Sequence, residues 1–416
     1  MAGKQRYLTA QEAAERLGIQ VATLYAYVSR GLLRSQAGDG GTRARRYALE
    51  DVEALAASKE YRREPARAAE TALGYGMPVL DSAITLIDGG RLYYRGHDVT
   101  VLAQMHSFEA VAALLWTGSL SPAAIFGGPP PLPALQTLPK DPDSPIEHYQ
   151  ACLALAAPAD LAAHQQTPEA VARAGARILA LLGHAATGQE ELGASIAVAL
   201  QRAWLPRRPE AAALLSAALI LCADHELNIS AFTARCVASA GSSPYAVVIA
   251  ALSALQGHRH GGCTAHAAAL LAAAAAEGVR PAIAGYLKSG DSVPGFGHPL
   301  YPGGDPRASC LLAMLSEQCA AAPSMAAAAA LCAAMHEMLG LRPTLDFALA
   351  ALASAIGAPR HSPLILFALG RSAGWIAHAA EQYSLNQLIR PRARYSGPPP
   401  VADVPGSAPH ATSASL

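Results

Sequence analysis

Three histidines sit in settings suited to handling a small polar ligand. His225 lies in Asp224-His225-Glu226-Leu227-Asn228, where a long apolar run ends. His260 is followed directly by Gly261-Gly262, and His298 follows Gly295-Phe296-Gly297. Beyond His298 a loop rich in Pro and Gly runs to Asp305-Pro306-Arg307. Imidazole changes charge near neutral pH and can donate or accept a proton. Glycines beside it let backbone approach a ligand closely. Two other chemistries fit less well. His258, His260, Cys263 and His266 cluster at short intervals, but no pair has a zinc-ligand spacing and the intervening glycines would make a loose site. No metal is therefore expected. Cys263 has a nearby histidine, yet nothing else marks it as a nucleophile.

The scaffold for these groups is mostly helical. The chain has 416 residues, 52% of them hydrophobic and 15% charged, with a formal net charge of zero. That length supports two or three domains with a sizeable core, and the composition excludes a largely disordered chain. The zero balance gives no overall pull toward nucleic acid or membrane. Residues 72–398 are rich in Ala and Leu with helical periodicity, densest over 169–182, 210–223 and 324–338. Alternating residues 82–88 and 91–95 flank Gly89-Gly90, which predicts a β-hairpin. Pro129-Pro130-Pro131 marks a surface connection.

The longest apolar run, 211–223, is too short to span a bilayer and reads as a buried helix. The first residues lack the apolar core of a signal peptide. Seven cysteines without paired spacing suit a reducing compartment. A cytoplasmic protein without a membrane partner is expected. Residues 399–416 are small, polar or Pro apart from a few aliphatics, and are expected to form a disordered tail.

Residues 1–64 differ in carrying many charges. Thr9 with Glu12 three residues on forms a capping-box pattern, Ala13, Ala14 and Leu17 supply an apolar face, and Gly18 ends the helix. Residues 20–30 predict a second helix with Val21, Leu24 and Val28 inward. A glycine-rich tip at 38–42 precedes Arg43, Arg45, Arg46 and Tyr47, and residues 51–57 predict a supporting third helix. Helix, glycine turn, helix and basic wing resemble the winged helix-turn-helix domain at the head of MerR-type regulators. Thr23, Tyr25, Tyr27 and Arg30 are expected to face outward toward base edges, and Arg43, Arg45 and Arg46 to neutralise phosphates. DNA is the partner this segment is expected to bind, as a dimer.

From about Gly74 to Pro398 the ordered motifs resemble the citrate synthase family. They are residues 81–88, Gly90-Arg91-Leu92-Tyr93-Tyr94-Arg95-Gly96, residues 224–228, residues 255–262 with their His-Gly-Gly, residues 295–298, Asp305-Pro306-Arg307, Leu345-Asp346-Phe347, Gly370-Arg371-Ser372-Ala373-Gly374-Trp375 and Arg390-Pro391-Arg392. The resemblance implies a mainly α fold. A large helical domain would take residues 72–261 and 357–398, a small helical domain 262–356, and a winged helix-turn-helix domain 1–64 would precede them. It also implies condensation of an acyl-coenzyme A with a 2-oxo dicarboxylic acid, usually oxaloacetate. Acyl-CoA is then a co-substrate, with no covalent cofactor.

By the same resemblance Asp346 is the base, His260 the donor to the enolate oxygen, and His298 the donor to the oxo-acid carbonyl. Arg307, Arg371 and Arg390 would bind the carboxylates, assisted by His225. In the family the last arginine reaches into the neighbouring subunit's site, so a homodimer or larger assembly is implied. Three positions depart from the common pattern. Pro299-Leu300-Tyr301-Pro302 stands where the family has a basic residue and then Val-Tyr-Lys, Cys263-Thr264-Ala265 replaces Ala-Asn-Glu, and Ala348-Leu349-Ala350 replaces a polar segment. The first two fall where the family touches coenzyme A, and Arg259 is a cation outside the common pattern. The expected product is citrate from acetyl-CoA. The alternatives are 2-methylcitrate from propionyl-CoA, and a DNA-binding regulator that senses oxaloacetate or citrate with weak or no catalysis.

Overall fold

Thr9 closes a short strand, β1 (Tyr7–Thr9), and caps the first helix, α1 (Ala10–Leu17). Its hydroxyl accepts the Glu12 N–H at 3.3 Å, and the Glu12 carboxylate takes the Thr9 N–H at 2.8 Å. Two otherwise orphaned donors of the helix start are thus satisfied reciprocally. The computed structural model describes residues 7–29, 33–37, 45–49, 51, 52, 55, 80–126, 144–189, 192, 193 and 195–398. They fall into two units that divide between Ala83 and Ile84.

In the first unit Gly18 ends α1 in the left-handed region (φ 58°), and α2 (Val21–Ser29) follows. Strands β2 (Ser35–Ala37) and β3 (Arg45–Ala48) form the wing, and β3 lies between β1 and β2. Ala13, Ala14, Leu17, Leu24, Leu33, Tyr47 and Val52 make a small core. Arg34 grips Asp51 with its guanidinium and its backbone N–H, at 2.7 Å for the closest contact of each, tying the wing to the helical residues Asp51, Val52 and Leu55. Thr23, Tyr25, Arg45 and Arg46 are exposed.

Tyr27 corrects the expectation. It is half-buried against this core, because it lies three residues beyond the fully buried Leu24 and shares its helix face. Arg30, Arg43, the 38–42 tip, the rest of the third helix, the Pro129-Pro130-Pro131 loop and the 399–416 tail lie outside the described residues.

The second unit opens with the expected hairpin, β4 (Thr85–Asp88) and β5 (Arg91–Tyr94). Gly89 and Gly90 take φ of 56° and 76°, the positive pair that a tight two-residue turn requires. A short β6 (His97–Asp98) completes the sheet. The helices then run α3 (Val99–Met105), α4 (Phe108–Thr117), α5 (Ala123–Phe126), α6 (Pro145–Ala156), α7 (Pro168–Thr187) and α8 (Ile196–Trp204). Next come α9 (Ala211–Cys222), α10 (Ile229–Ser239), α11 (Pro244–Leu255), α12 (Cys263–Glu277) and α13 (Val279–Ser289). The last four are α14 (Pro306–Gln318), α15 (Pro323–Leu339), α16 (Leu345–Ile356) and α17 (Ser362–Leu385).

Two helices organise the core. α9 is apolar almost all round and buried, as its sequence requires. α17 packs on α4, α7, α9, α10 and α11. Its close approach to α9 depends on two glycines one helical turn apart. A Cβ on Gly370 would lie 2.5 Å from the Leu219 carbonyl oxygen, and one on Gly374 would collide with the Ala223 carbonyl and the Asp224 carboxylate. α12 to α16 pack largely on one another, and α16 touches both α9 and α17. Truncating a fully buried leucine such as Leu219 to alanine is expected to cost about 2–5 kcal/mol. No described helix is long and apolar enough to cross a membrane.

Candidate active site

The segment after α9 is clamped from several sides. The Tyr94 hydroxyl accepts the Asp224 N–H at 3.0 Å and faces the carbonyls of Asp224 (3.0 Å) and Ile220 (3.2 Å), to one of which it donates. The Asp224 carboxylate accepts the Thr85 hydroxyl at 2.5 Å and lies 3.2 Å from His378 Nε2. Burial opposes its charge, but His378, Arg371 and Thr85 outweigh that and hold it below the usual carboxylate range. Glu226 then turns the chain with φ of 51°. His225, between these fixed residues, is buried, and its Nε2 lies 2.9 Å from the Tyr301 hydroxyl. Its ring meets His298 edge-on at 5.2 Å. Burial pushes its imidazole well below the ordinary value, and Arg307 and Arg371 push the same way.

His298 is presented by the loop before α14. Its Nδ1 accepts the Leu300 N–H at 3.2 Å, so the neutral ring carries its proton on Nε2. Burial and then Arg307 lower its pKa and favour that neutral form. His260 stands just before α12. Its Nε2 lies 2.8 Å from Ser230 Oγ, and its ring meets Phe367 edge-on at 5.8 Å. Burial, with Arg371, lowers its pKa to about 4, so it too is neutral near pH 7.

Ser230 is itself oriented. The Trp375 indole N–H donates to its Oγ at 3.1 Å. Asn228 Oδ1, 2.8 Å away, already accepts the N–H groups of Ser230 and Ala231, each at 3.2 Å. The serine hydroxyl has Asn228 Oδ1 and His260 Nε2 both within reach of its one proton; donated to His260, it leaves the ring's own proton on Nδ1.

The arginines are held by partners and not left loose. Arg307 forms a bidentate pair with Asp305, Nε to Oδ1 at 3.0 Å and Nη2 to Oδ2 at 2.8 Å, leaving Nη1 for a ligand. Asp305 also caps α14 and accepts the Leu345 N–H at 3.1 Å, so one carboxylate joins the starts of α14 and α16. Arg371 donates from Nε to the Cys222 carbonyl at 2.6 Å, and its guanidinium lies 4.6 Å over the Phe367 ring. Asp346, the second residue of α16, is different. It is half-buried, and its side chain has one long contact, 3.5 Å from Thr344 Oγ1, besides its own N–H. Burial raises its carboxyl to about 6, with Arg307 opposing and Asp305 adding to the rise.

The structure thus brings His225, His260, His298, Arg307, Arg371 and Asp346 into one electrostatic neighbourhood, although they come from five separated stretches of chain. Arg390 is not among them. It is exposed on the extended segment beyond α17. Among the described residues no group of three or more His, Cys, Asp or Glu side chains is placed to hold a metal ion. Four side chains of the neighbourhood had no expected role: Tyr301, Ser230, Trp375 and Asp305. Trp375 and Asp305 stand inside motifs that the sequence displays, and Tyr301 lies three residues from His298. Such an assembly can take a proton with a carboxylate titrating near neutrality, offer neutral N–H donors to a developing oxyanion, and hold an anion with guanidinium groups.

The family described as "Citrate synthase, C-terminal domain" matches residues 74–392, and that described as "Helix-turn-helix domain" matches residues 7–60. The chain is 31% identical over 361 residues to the citrate synthase of Haloferax volcanii, covering 77% of this chain and 94% of that one. The structure of citrate synthase from Thermotoga maritima superimposes with a TM-score of 0.68 at 30% identity, over 79% of this chain and 96% of that one. Citrate synthase from Thermoplasma acidophilum, solved as a ternary complex with carboxymethyl coenzyme A and oxaloacetate, gives 0.62 at 25% identity over 79% and 96%. The chain belongs to the citrate synthase family of acyltransferases and carries a helix-turn-helix domain at its N-terminus.

Proposed function

We propose that this protein condenses acetyl-CoA with oxaloacetate to give citrate and CoA. The observation that carries this reading is Asp346, set among Arg307, Arg371 and Asp305 at the start of α16 with its carboxyl raised by burial to about 6. An acyl methyl group is a very weak acid, and an ordinary carboxylate cannot remove its proton unaided. Asp346 takes the proton, and His260 donates from Nδ1 to the enolate oxygen that forms. His298 donates from Nε2 to the oxo-acid carbonyl as the new carbon–carbon bond develops. Arg307 Nη1 and Arg371 bind the carboxylates, with His225 assisting. Arg390 acts from the neighbouring subunit of a homodimer, which is consistent with its exposure here. Residues 262–356 form a smaller domain that closes over the larger one, 72–261 with 357–398, and carries Asp346 to the substrates. The preference of α12 to α16 for one another supports that division.

The test is release of free thiol by purified protein with oxaloacetate and either acetyl-CoA or propionyl-CoA. Turnover that favours acetyl-CoA is expected, and a preference for propionyl-CoA would make the enzyme a 2-methylcitrate synthase. No turnover with either donor, alongside intact oxaloacetate binding, would leave a sensor. The helix-turn-helix unit favours that second reading, a regulator that couples the pocket to DNA through residues 1–64. A gel shift on the promoter beside its own gene, weakening as salt rises, distinguishes a DNA-binding head from a protein-contact module.

A further inference from the structure

Asp346 is placed by its backbone. Its carboxyl has one long contact, 3.5 Å from Thr344 Oγ1, besides its own N–H. What holds the chain just before it therefore decides where this carboxyl stands. Two backbone ties hold the approach to α16. The Gly297 N–H donates to the Arg342 carbonyl at 2.9 Å, and the Thr344 N–H to the Gly295 carbonyl at 2.8 Å. The residue directly before Asp346 is held by a side chain instead. The Leu345 N–H donates to Asp305 Oδ2 at 3.1 Å.

Asp305 does more than a helix cap needs. A cap takes N–H groups of its own helix. Here Oδ1 takes the Arg307 N–H and Nε, each at 3.0 Å, and Oδ2 takes Arg307 Nη2 at 2.8 Å as well as the Leu345 N–H. The residue is 1% exposed, and burying a carboxylate is costly, whereas a cap alone could stand in water. Burial opposes its charge, but Arg307 and the N–H donors hold it below the usual carboxylate range. One buried anion thus grips both the arginine that meets the oxo-acid and the first turn that carries the base.

We propose that Asp305 is the positioning residue for Asp346, fixing the base relative to Arg307 so that the oxo-acid and the proton to be abstracted are held in one frame. This rests on the reading of Asp346 as the base. The two backbone ties bring the His298 loop into the same frame. No covalent step is involved.

The charged and titratable groups that face Asp346 are Asp305 and Arg307 at the start of α14, Arg371 on α17, Cys222 on α9 and Cys263 on α12. The arginines stay charged and burial raises both thiols, so Asp346 is the member of this set that titrates near pH 6. The Asp305 charge adds to the rise of its carboxyl.

Replacing the Leu345 amide by an ester, through leucic acid incorporated at 345, removes that N–H and leaves the Asp305–Arg307 pair in place. kcat should fall by about 10- to 100-fold, the scale of a small misplacement of a catalytic group, with oxaloacetate binding by calorimetry unchanged. Asp305→Asn should lower kcat, raise KM for the oxo-acid and move the acid limb of kcat below about 6. A merely structural loss would leave that limb in place. Asp305→Asn combined with Asp346→Asn should be no slower at saturation than Asp346→Asn alone. An ester protein with the parent kcat overturns the assignment, as does an Asp305→Asn limb that stays near 6; an inactive Asp346→Asn beside either result leaves the base reading intact. If Asp305→Asn fails to fold, the ester protein decides. Normal turnover by Asp346→Asn, or none by the parent, overturns the base reading and the proposal with it.

Discussion

The two regions that carry ligand-facing groups are built on opposite principles. In the N-terminal unit Thr23, Tyr25, Arg45 and Arg46 are exposed, and Arg45 donates from Nη1 to the Ser35 hydroxyl at 3.0 Å on the surface. In the pocket Arg307 and Arg371 are almost wholly buried, and each is fastened to a specific acceptor. A solvated cation is cheap to place and cheap to remove. A buried one cannot be removed without stranding its partner. Changes in the first region should therefore alter binding alone, whereas changes in the second should alter stability and function together.

Asp346 is the exception inside the pocket, and it gives the largest expected effect. Asp346→Asn should reduce kcat by roughly 10²–10⁴-fold, the usual range for loss of a general base. Its folded carboxyl titrates at about 6, above the ordinary 3.8, so the native state binds more protons across that interval. Stability contributed by this group is complete below about pH 4 and declines as pH rises through about 6. At pH 7 asparagine removes that penalty, and urea denaturation should show a gain on the order of 1–2 kcal/mol. The parent kcat should fall as pH drops through about 6. A variant that loses activity and stability together would place Asp346 with the fastened groups.

Arg307→Ala should act the other way, leaving Asp305 charged, buried and unpaired. A loss of about 3–5 kcal/mol is expected in the same denaturation experiment, with lysine a poor rescue because it cannot pair bidentately. Gly374→Ala drives a methyl group into the Ala223 carbonyl and the Asp224 carboxylate. It should cost about 1–3 kcal/mol and raise KM for the oxo-acid, since Asp224 precedes His225.

The smallest effects belong to the N-terminal unit. Arg45→Ala and Arg46→Ala should each reduce the salt slope of DNA binding by about one, with melting temperature and turnover unmoved. A shift in turnover would show that the two regions are not energetically separate.

How far the sequence reaches follows the same division. The helices expected over 169–182, 210–223 and 324–338 are observed as Pro168–Thr187, Ala211–Cys222 and Pro323–Leu339, because alanine-rich apolar stretches bounded by Pro and Gly leave little choice. Of the groups that meet in the pocket, glycine neighbours single out His260 and His298; Asp346, Arg307 and Arg371 take their roles from the family resemblance. Ser230, Asp305 and Tyr301 took no role from the sequence, since each acts through a partner distant in the chain or across a loop whose path only tertiary packing sets. Tyr27 failed for a local reason. A helix position three beyond a core leucine faces the core, whatever its polar tip would suggest. Arg390 lies exposed on the segment beyond α17, apart from the groups of the pocket.

α17 serves both halves of the pocket from one rod. Arg371 reaches the α9 carboxyl end, Trp375 orients the serine beside His260, and His378 meets Asp224. Each additional residue in a helix rotates everything after it by about 100°. A single insertion between Gly370 and Gly374 would therefore disconnect the oxo-acid side and the acid–base side in one event. Length variation should be tolerated in the connections of this chain and rejected across about two turns of this helix, which makes it the segment whose reading frame of contacts, more than its composition, defines the enzyme.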